Sequence, residues 1–470
     1  MFARLSTFTA RLSAAVAARP WVWGSAVGLL VALVLAATVV LYLHKINKPD
    51  RNGNYTKSAF LRWRPQIEDL DRCVDIYEKH NYPNPPIMAL VLKPFMALPP
   101  TAGAVTWLLL KAAMAAVMFA WAVRLATEPG RAFPPVAALF VGLLALHPVL
   151  GDLQHGNVNI FIAFLVFASL ELFRFRCDVT AGVVLALAIA CKVTPALFVV
   201  YFGWKAVHGG WVAWRAKQPV LRNAWGSGGK VLLGCVAGLV LWMLVVPGLY
   251  LGFDRNATLL QSWYGTMVKP FVQGGRVQSE VANQSLPGLA HGFFTSVPLP
   301  EEEADEDDGK PSKRRGTLAD LGPPAAGWMV RGCQGVFVLA VVLLARCPVT
   351  VRRQGVWFAA ECGFILLGML LFSERTWKHH ATTTAIPMAA LVGCWVFGRV
   401  GWKVRLYLLG TLVAAVLLMT GPSVLAAWDE DLQDVCLNAG THAAAFVLLA
   451  VALGVVMWVS KRPHPPSPSP

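Results

Sequence analysis

Long apolar segments separated by polar loops recur from one end of this chain to the other. A helix needs about 20 mostly apolar residues to cross a bilayer, where its backbone polar groups must be bonded internally. Ten segments meet or approach this length: about 21–44, 102–124, 133–148, 158–174, 231–252, 326–346, 355–373, 381–398, 404–426 and 441–459. The pattern predicts an all-α, polytopic helical membrane protein with about 11–12 membrane segments.

The segment 179–204 predicts a different element. Lys192 and Pro195 lie near its centre. A proline there breaks the helix, and a lysine at mid-membrane costs about 3 kcal/mol unless it is paired or hydrated. Two half-helices that form a hairpin near 179–204, with Lys192 at the tip, remove both problems. The hairpin also returns the basic segment after Trp204 to the side from which the chain came.

Composition and charge agree with a membrane protein. Of the residues, 56% are hydrophobic and 14% charged, whereas soluble domains carry about a quarter charged residues. Lysine and arginine outnumber the acids by 41 to 26, but they fall in short loops, which indicates topology rather than nucleic-acid binding. We expect a multi-pass inner (plasma) membrane protein with a cytoplasmic N-terminus (1–20), a transmembrane domain (21–460) and a cytoplasmic Pro/Ser tail (461–470).

Two longer polar loops, 45–100 and 253–325, are expected outside the membrane. Within the first, Pro85–Pro99 is apolar but too short to cross, so we interpret it as interfacial or re-entrant. The second contains the acidic run from Glu301 to Asp308, which has no hydrophobic pattern. This composition predicts a disordered acidic insert at about 298–318.

In this topology, five polar clusters lie on the outer side. They are the first outer loop with Arg64, Asp69, Asp75 and Tyr82, the turn with His155 and Asn159, the hairpin tip with Lys192, the loop around Asn283, and Ser373–His380. A single charge at a helix end is usually an interfacial anchor, but five clusters on one face point to a site. Carboxylates, imidazoles and cations in one outward cavity suit an anionic, lipid-linked substrate.

No metal site or cofactor is expected. The nine cysteines form no CxxC pair, and no His/Cys group has metal-ligand spacing. The sequence also has no glycine-rich phosphate loop of the Walker or GxGxxG type that follows a strand.

Five motifs in the same clusters resemble those of one enzyme family. They are Tyr82-Pro83-Asn84-Pro85-Pro86, Gly156-Asn157-Val158-Asn159, Lys192-Val193-Thr194-Pro195, Asn283-Gln284-Ser285-Leu286, and the segment from Ser373 to His380. In this order they resemble the GT-C superfamily of polyprenol-phosphate-sugar-dependent glycosyltransferases, most closely family 87. Asn157 stands where that family usually has glutamine. The resemblance implies a GT-C-like transmembrane fold.

The resemblance also implies a reaction. A sugar, mannose or another, would pass with inversion from a polyprenyl-phosphate donor to a lipid or glycan acceptor on the outer face, among membrane lipids. The residues expected to bind the donor phosphate are Lys192, Arg375, Lys378, His379 and His380. Those expected to bind substrate are Arg64, Tyr82, His155, Asn159 and Asn283.

The catalytic base is the point where this sequence departs from the family. The family usually places an aspartate soon after the first span, but Gly53–Phe60 contains no carboxylate. The candidates among the other acids of the loop are Asp50, Glu68, Asp69, Asp71 and Asp75. Because the apolar pair Ile76-Tyr77 would hold Asp75 at the membrane surface, we rank Asp75 first and Asp69 second.

Two other classes of function remain as alternatives. One is a non-catalytic membrane protein of envelope assembly with the same fold, which the missing aspartate favours. The other is a lipid or solute transporter, which would also have a broken helix with a charged residue. Transporters usually show repeated halves, and the sequence has no second break like that at Lys192.

Overall fold

The computed structural model describes residues 19–48, 57–273, 276–298, 313–398 and 400–460. Within these ranges the chain is helical, and its only extended pairing is one isolated bridge between Glu280 and Arg314. The predicted all-α class is confirmed. Asp50, the acidic run 301–308 and the predicted tail 461–470 lie outside the described residues.

Eighteen helices follow one another along the described residues. The first nine are α1 Pro20–Ile46, α2 Ala59–Asp71, α3 Ile76–His80, α4 Pro86–Met96, α5 Pro100–Ala126, α6 Pro135–His155, α7 Asn159–Arg174, α8 Asp178–Cys191 and α9 Leu197–Arg215. The others are α10 Val220–Leu251, which includes two π-turns, α11 Phe253–Trp263, which continues through the π-turn Tyr264–Val268 into Lys269–Val272, α12 Leu286–Phe294, α13 Pro323–Leu344, α14 Val356–Leu371, α15 Ala385–Phe397, α16 Trp402–Leu425, α17 Glu430–Asn438 and α18 Thr441–Ser460. A 3₁₀ turn, Lys378–Thr384, leads into α15.

Eight of these helices are long and apolar enough to cross a membrane, counted over the described residues. They are α1, α5, α6, α10, α13, α15 with its preceding turn, α16 and α18. The shorter apolar helices are α4, α8 and α14. The spans predicted from hydropathy are confirmed as helices, because the apolar length that a bilayer demands leaves few alternatives.

The centre of the bundle is formed by α14 and α15. Along α14, every residue except Trp357 is buried. Small residues such as Ala359, Ala360 and Gly363 line this helix, so neighbouring backbones can approach closely where no hydrophobic driving force exists between helices in lipid.

The two ends of the bundle differ. Near the end of α1, the hydroxyl of Tyr42 lies 2.8 Å from Ser58 Oγ, which is next to Gly156 at the end of α6. At the start of α18, the backbone N–H of His442 donates to Gln284 Oε1. We call this the histidine end, because His155, His379 and His380 lie there. The opposite end, with Arg352 and Arg353, is the arginine end; α1 begins and α18 ends there.

Helices α8 and α10 run in the same direction and almost touch. A Cβ added to Gly234 would lie 2.1 Å from the carbonyl oxygen of Val179, and one added to Gly238 would lie 3.1 Å from that of Val183. Each step of four residues along α8 thus matches a step of four along α10. Only glycine permits this approach of two backbones.

Helix α9 runs against α10. A Cβ on Gly228 would lie 2.2 Å from the carbonyl oxygen of Phe202, whereas one on Gly210 would contact Val220. Residues later in α9 therefore contact residues earlier in α10, so the two helices are antiparallel. Because α8 is parallel to α10, α8 and α9 are antiparallel, and the predicted hairpin is confirmed. Its second arm, α9, has 19 residues and runs to Arg215, so it is longer than the half-helix that was predicted to end near residue 204.

A loop at the arginine end, residues 345–355, is held by buried ion pairs. Lys205 donates to Glu361 Oε2 at 2.9 Å and to the carbonyl oxygen of Cys347 at 2.7 Å. Arg353 forms a bidentate pair with Asp178. These contacts tie α9 to α14 and the loop to the start of α8.

Part of the predicted disordered insert belongs to the packed structure. Residues 313–318 are described, and Arg315 is only 1% exposed. Its guanidinium donates to the carbonyl oxygens of Asn283 at 2.8 Å and Leu437 at 2.7 Å. The interpretation that placed 298–318 in one insert was too broad at its C-terminal side, because composition does not reveal that one arginine of a basic run is buried.

Candidate active site

Three imidazoles meet at the histidine end. The rings of His155 and His379 stack with centroids 4.2 Å apart, and His380 lies 4.8 Å from His379, nearly perpendicular. The side-chain amide of Asn157 lies 3.3 Å from His379 Nε2. We call His155, His379 and His380 the histidine cluster. Two segments far apart in sequence build it: the last turn of α6 and the 3₁₀ turn before α15.

The position of His155 corrects a prediction. The span expected to end near residue 148 continues through Pro148 to His155, so Asp152 and His155 lie on a helix and not in a turn. Proline is tolerated inside membrane helices because neighbouring groups satisfy the backbone. At Gly156 the chain leaves the helix with φ +73°, and a Cβ there would lie 2.3 Å from Ser58 Oγ.

Trp377 connects the histidine cluster to an acidic side chain. Its ring is nearly parallel to that of His380, with centroids 6.2 Å apart, and its backbone N–H donates to His380 Nδ1 at 3.2 Å. The indole Nε1 donates to Glu280 Oε1 at 2.8 Å. Arg375 also reaches Glu280 Oε1, at 3.2 Å. Glu280 therefore joins the site from the long loop before α12.

A chain of polar contacts leads to Lys192 at the tip of the hairpin. Lys192 Nζ donates to Asn159 Oδ1 at 2.8 Å, and Asn159 Nδ2 donates to Asp152 Oδ1 at 3.0 Å. Asp152 Oδ2 in turn accepts from Lys111 Nζ at 3.1 Å. Lys192 itself has extended backbone, with φ −158° and ψ 124°, where α8 ends. Asn159 thus holds the ammonium group in one place.

The predicted phosphate-binding residues lie together. Lys192 and Arg375 are within electrostatic range of His380, and Lys192 and Lys378 are within range of His379. Lys378 is exposed. Cations and imidazoles thus surround one region between the hairpin tip and the 3₁₀ turn.

The side chain of Asn283 joins two segments of the site by hydrogen bonds. Its Nδ2 donates to the carbonyl oxygens of Gln278 at 2.7 Å and Glu374 at 2.8 Å, and its Oδ1 accepts the backbone N–H of Thr376 at 2.9 Å. The amide therefore fastens the loop that carries Glu280 to the segment that carries Arg375.

Tyr82 lies beside the hairpin, and Arg64 lies farther away. Tyr82 is fully buried and close to Cys191, the last residue of α8. Arg64 donates to Glu68 Oε1 at 2.9 Å and to the carbonyl oxygen of Leu98 at 2.8 Å. Its contacts stay within the loop that precedes α5.

Asp69 lies in a compact ion-pair group. Lys79 Nζ is 2.5 Å and His80 Nε2 is 2.8 Å from Asp69 Oδ2, while Arg72 is 3.2 Å from Oδ1. The hydrogen bonds from Lys79 and then His80 hold the pKa of Asp69 well below its ordinary range. Such a carboxylate is a poor proton acceptor.

Asp75 caps helix α3. Its Oδ1 accepts the backbone N–H groups of Tyr77 at 2.8 Å and Glu78 at 3.3 Å, a normal arrangement at a helix N-terminus. The ring centroids of Tyr77 and Tyr82 are 6.2 Å apart. Because Tyr82 lies beside Cys191, these two rings stand between Asp75 and the hairpin.

Lys111 and Glu280 were not among the predicted site residues. A signal for Lys111 existed, because a lysine inside an apolar span is costly without a partner. The sequence gives no signal for Glu280, since it is one acid in a long polar loop. It lies at the site because Asn283 joins this loop to the segment around Glu374 and Thr376 by hydrogen bonds.

Comparison with known proteins adds the family. No curated protein matches the chain. Among solved structures it is similar to the crystal structure of ArnT from Cupriavidus metallidurans bound to undecaprenyl phosphate, with 15% identity and a TM-score of 0.39 over 92% of this chain and 78% of that chain. The sequence profile of glycosyltransferase family 87 matches residues 82–373, well over half of the chain. This membrane protein therefore belongs to glycosyltransferase family 87.

Proposed function

We propose that the chain transfers a sugar, mannose or another, from a polyprenyl-phosphate donor to a lipid or glycan acceptor at the histidine end. The observation that carries this proposal is the placement of Lys192. Its ammonium group is held by Asn159 and lies within electrostatic range of the cluster residues His379 and His380. A phosphate on a lipid that enters between spans would meet this group at the hairpin tip.

The cations have a direct role in the proposed reaction. As the bond between the sugar and the phosphate breaks, negative charge gathers on the leaving phosphate. Donors and cations positioned beforehand, in a region poor in water, stabilise that charge in the transition state. Lys192, Arg375 and Lys378 supply charge, and His379 and His380 supply ring N–H groups.

Inversion at the sugar also requires a base that accepts the proton of the acceptor hydroxyl. Asp75 suits this role better than Asp69. Only Oδ1 of Asp75 is engaged by the helix cap, whereas both oxygens of Asp69 are paired with cations. Asp75 therefore remains first and Asp69 second.

We place the histidine end on the outer face of the inner membrane and both chain ends in the cytoplasm. Basic residues support this orientation. Arg174, Arg176, Arg215, Arg346 and Arg405 all lie in or near short loops at the arginine end, as the positive-inside bias requires for the cytoplasmic side.

The test is transfer of labelled mannose from polyprenyl-phosphate mannose in membranes that contain the protein. Wild type and Lys313→Ala should transfer, and Lys192→Ala should not. Lys313 is a matched control, because it lies at the histidine end but pairs with Asp434. Full transfer by Lys192→Ala would overturn the phosphate site. Donor binding without transfer in the wild type would favour the non-catalytic alternative, and donor flux without a new glycan would favour a transporter.

A further inference from the structure

A cavity of about 630 Å³ opens at the arginine end, far from the histidine cluster. It lies between the last three turns of α9 and the residues that follow α13, where Trp204 Nε1 donates to the carbonyl oxygen of Ala345 at 3.1 Å. Cavities of this size hold small ligands or part of a larger one.

Two arginines line the cavity. Arg215 and Arg346 are both exposed. The guanidinium of Arg215 lies 6.0 Å from the ring centre of Trp211, and Arg346 Nε donates only to a carbonyl oxygen of its own helix end. Neither forms an ion pair with an acid in the described part of the chain, and the residues that line the cavity include no acid.

The acids nearby cannot serve as counter-ions. The described acids at the arginine end are Glu128, Glu171, Asp178 and Glu361, and each already bonds an arginine or a lysine. Arg215 and Arg346 therefore have no acidic partner among the described residues, which leaves their charges open to an anion from another molecule. Guanidinium groups bind phosphate with two parallel hydrogen bonds, so two arginines that line one cavity suit a phosphate group.

The surroundings of the cavity indicate a lipid. Val207 on α9 is 65% exposed, and Leu339 on α13 is 56% exposed. Val207 lies between the lining residues Trp204 and His208, and Leu339 lies about two helical turns before Arg346, towards the middle of the membrane. Trp211 is also exposed, as is usual for tryptophan where hydrocarbon meets headgroups. An acyl chain can lie against the exposed aliphatic side chains while the headgroup reaches the arginines.

We propose that this cavity binds the phosphate headgroup of an anionic phospholipid from the leaflet at the arginine end. Arg215 and Arg346 bind the phosphate, Trp211 packs against the glycerol region, and the acyl chains follow the surfaces of α9 and α13. This site is separate from the donor site, which lies at the other end of the bundle, and it does not depend on the proposed sugar transfer.

The experiment uses the full chain, purified in detergent and stripped of lipid. Phosphatidylglycerol or phosphatidylcholine is added, and bound lipid is counted by native mass spectrometry. Wild type should retain one phosphatidylglycerol and no phosphatidylcholine. In Arg215→Gln/Arg346→Gln, the apparent Kd should rise by at least about tenfold, because two charge-assisted hydrogen-bond partners are lost. Arg222→Gln/Lys403→Gln is the matched control; it removes two exposed charges at the same end but outside the cavity and should bind as wild type does.

Three outcomes would overturn the proposal. The first is equal retention of the two lipids by the wild type. The second is equal retention of phosphatidylglycerol by the cavity variant and the wild type. The third is displacement of phosphatidylglycerol by inorganic phosphate at the same concentration, which would identify a site for a soluble anion. Thermal unfolding midpoints equal to that of the wild type would show that the exposed substitutions leave the fold intact.

Discussion

Lys111 on α5 and Asp152 on α6 form an ion pair that the protein encloses completely, with 3.1 Å between Lys111 Nζ and Asp152 Oδ2 and no exposed side-chain surface on either residue. The ammonium group also donates to the carbonyl oxygen of Asp152 at 2.7 Å. Since Asp152 holds Asn159, and Asn159 holds Lys192, this pair supports the position of the hairpin tip.

Removing one partner of this pair should be costly. Lys111→Met leaves a buried carboxylate without a counter-ion, and we expect it to destabilise the protein by about 3–5 kcal/mol. Lys111→Met/Asp152→Asn should recover most of that loss, because the amide still accepts a hydrogen bond from Asn159. Thermal unfolding in detergent measures both. A single variant as stable as the wild type would show that the pair contributes nothing.

Loss of an imidazole should slow the chemical step. His380→Ala removes a ring that lies beside Trp377 and within range of Lys192. We expect kcat for sugar transfer to fall by about a hundredfold or more, as when one preorganised donor is lost. His291→Ala is the control, since His291 lies on α12 outside the histidine cluster. Equal kcat in the two variants would remove His380 from the mechanism.

The two ranked carboxylates should behave differently. Asp75→Asn keeps the size and cap of the side chain but removes its charge, so transfer should fall by about a hundredfold or more while donor binding persists. Asp69→Asn should keep measurable transfer. Transfer rates and donor affinities, measured on the same preparations of both variants, show which carboxylate accepts the proton. Normal transfer by Asp75→Asn would exclude it as the base.

The ion pairs of Asp69 predict a pH dependence of stability. Because its pKa is lowered in the folded protein, the pairs contribute fully above the unfolded pKa of about 3.9, and the contribution is lost as pH falls towards the folded value. Wild type should therefore unfold at a higher temperature than Asp69→Asn from pH 7 to about pH 5, with the difference shrinking below about pH 4. A difference that did not change with pH would contradict this origin.

Labelling of cysteines tests the orientation. The background lacks the four cysteines that are not buried: Cys73, Cys177, Cys333 and Cys436. Into it, single exposed cysteines are placed as Glu78→Cys at the histidine end and Gln218→Cys at the arginine end. In intact cells an impermeant thiol reagent should label the first alone, and permeabilised cells should yield both. Labelling of both from outside would reverse our placement of the segment after α9.

The sequence predicted the spans and the hairpin because a bilayer imposes strong constraints on length and polarity. Lys192 and Pro195 inside an apolar segment could be satisfied by few arrangements. The assembled site was less accessible. His155 and His379 meet only through the packing of α6 against the turn before α15, and no local pattern encodes that contact. The length of α6 was underestimated because Pro148 resembles a helix end when its neighbours are unknown.

The burial of Arg315 could not be predicted from the sequence either. Its charge and its neighbours Lys313 and Arg314 are typical of a solvated segment, yet its guanidinium is enclosed by carbonyl oxygens from two other parts of the chain. Those acceptors become neighbours only in the folded protein.

The hairpin has a consequence for the order in which the protein is built. Helix α8 has 14 residues and, at about 1.5 Å per residue, is shorter than the hydrocarbon core. The side chain that holds its tip, Asn159, is synthesised before it, but the backbone against which Gly182 packs, at Val231, is synthesised after it. The packing of α8 against α10 can therefore form only after α10 has been synthesised. The spans of this protein therefore do not reach their final packing strictly in chain order, because α8 is completed by contacts with α10, which follows it in the sequence.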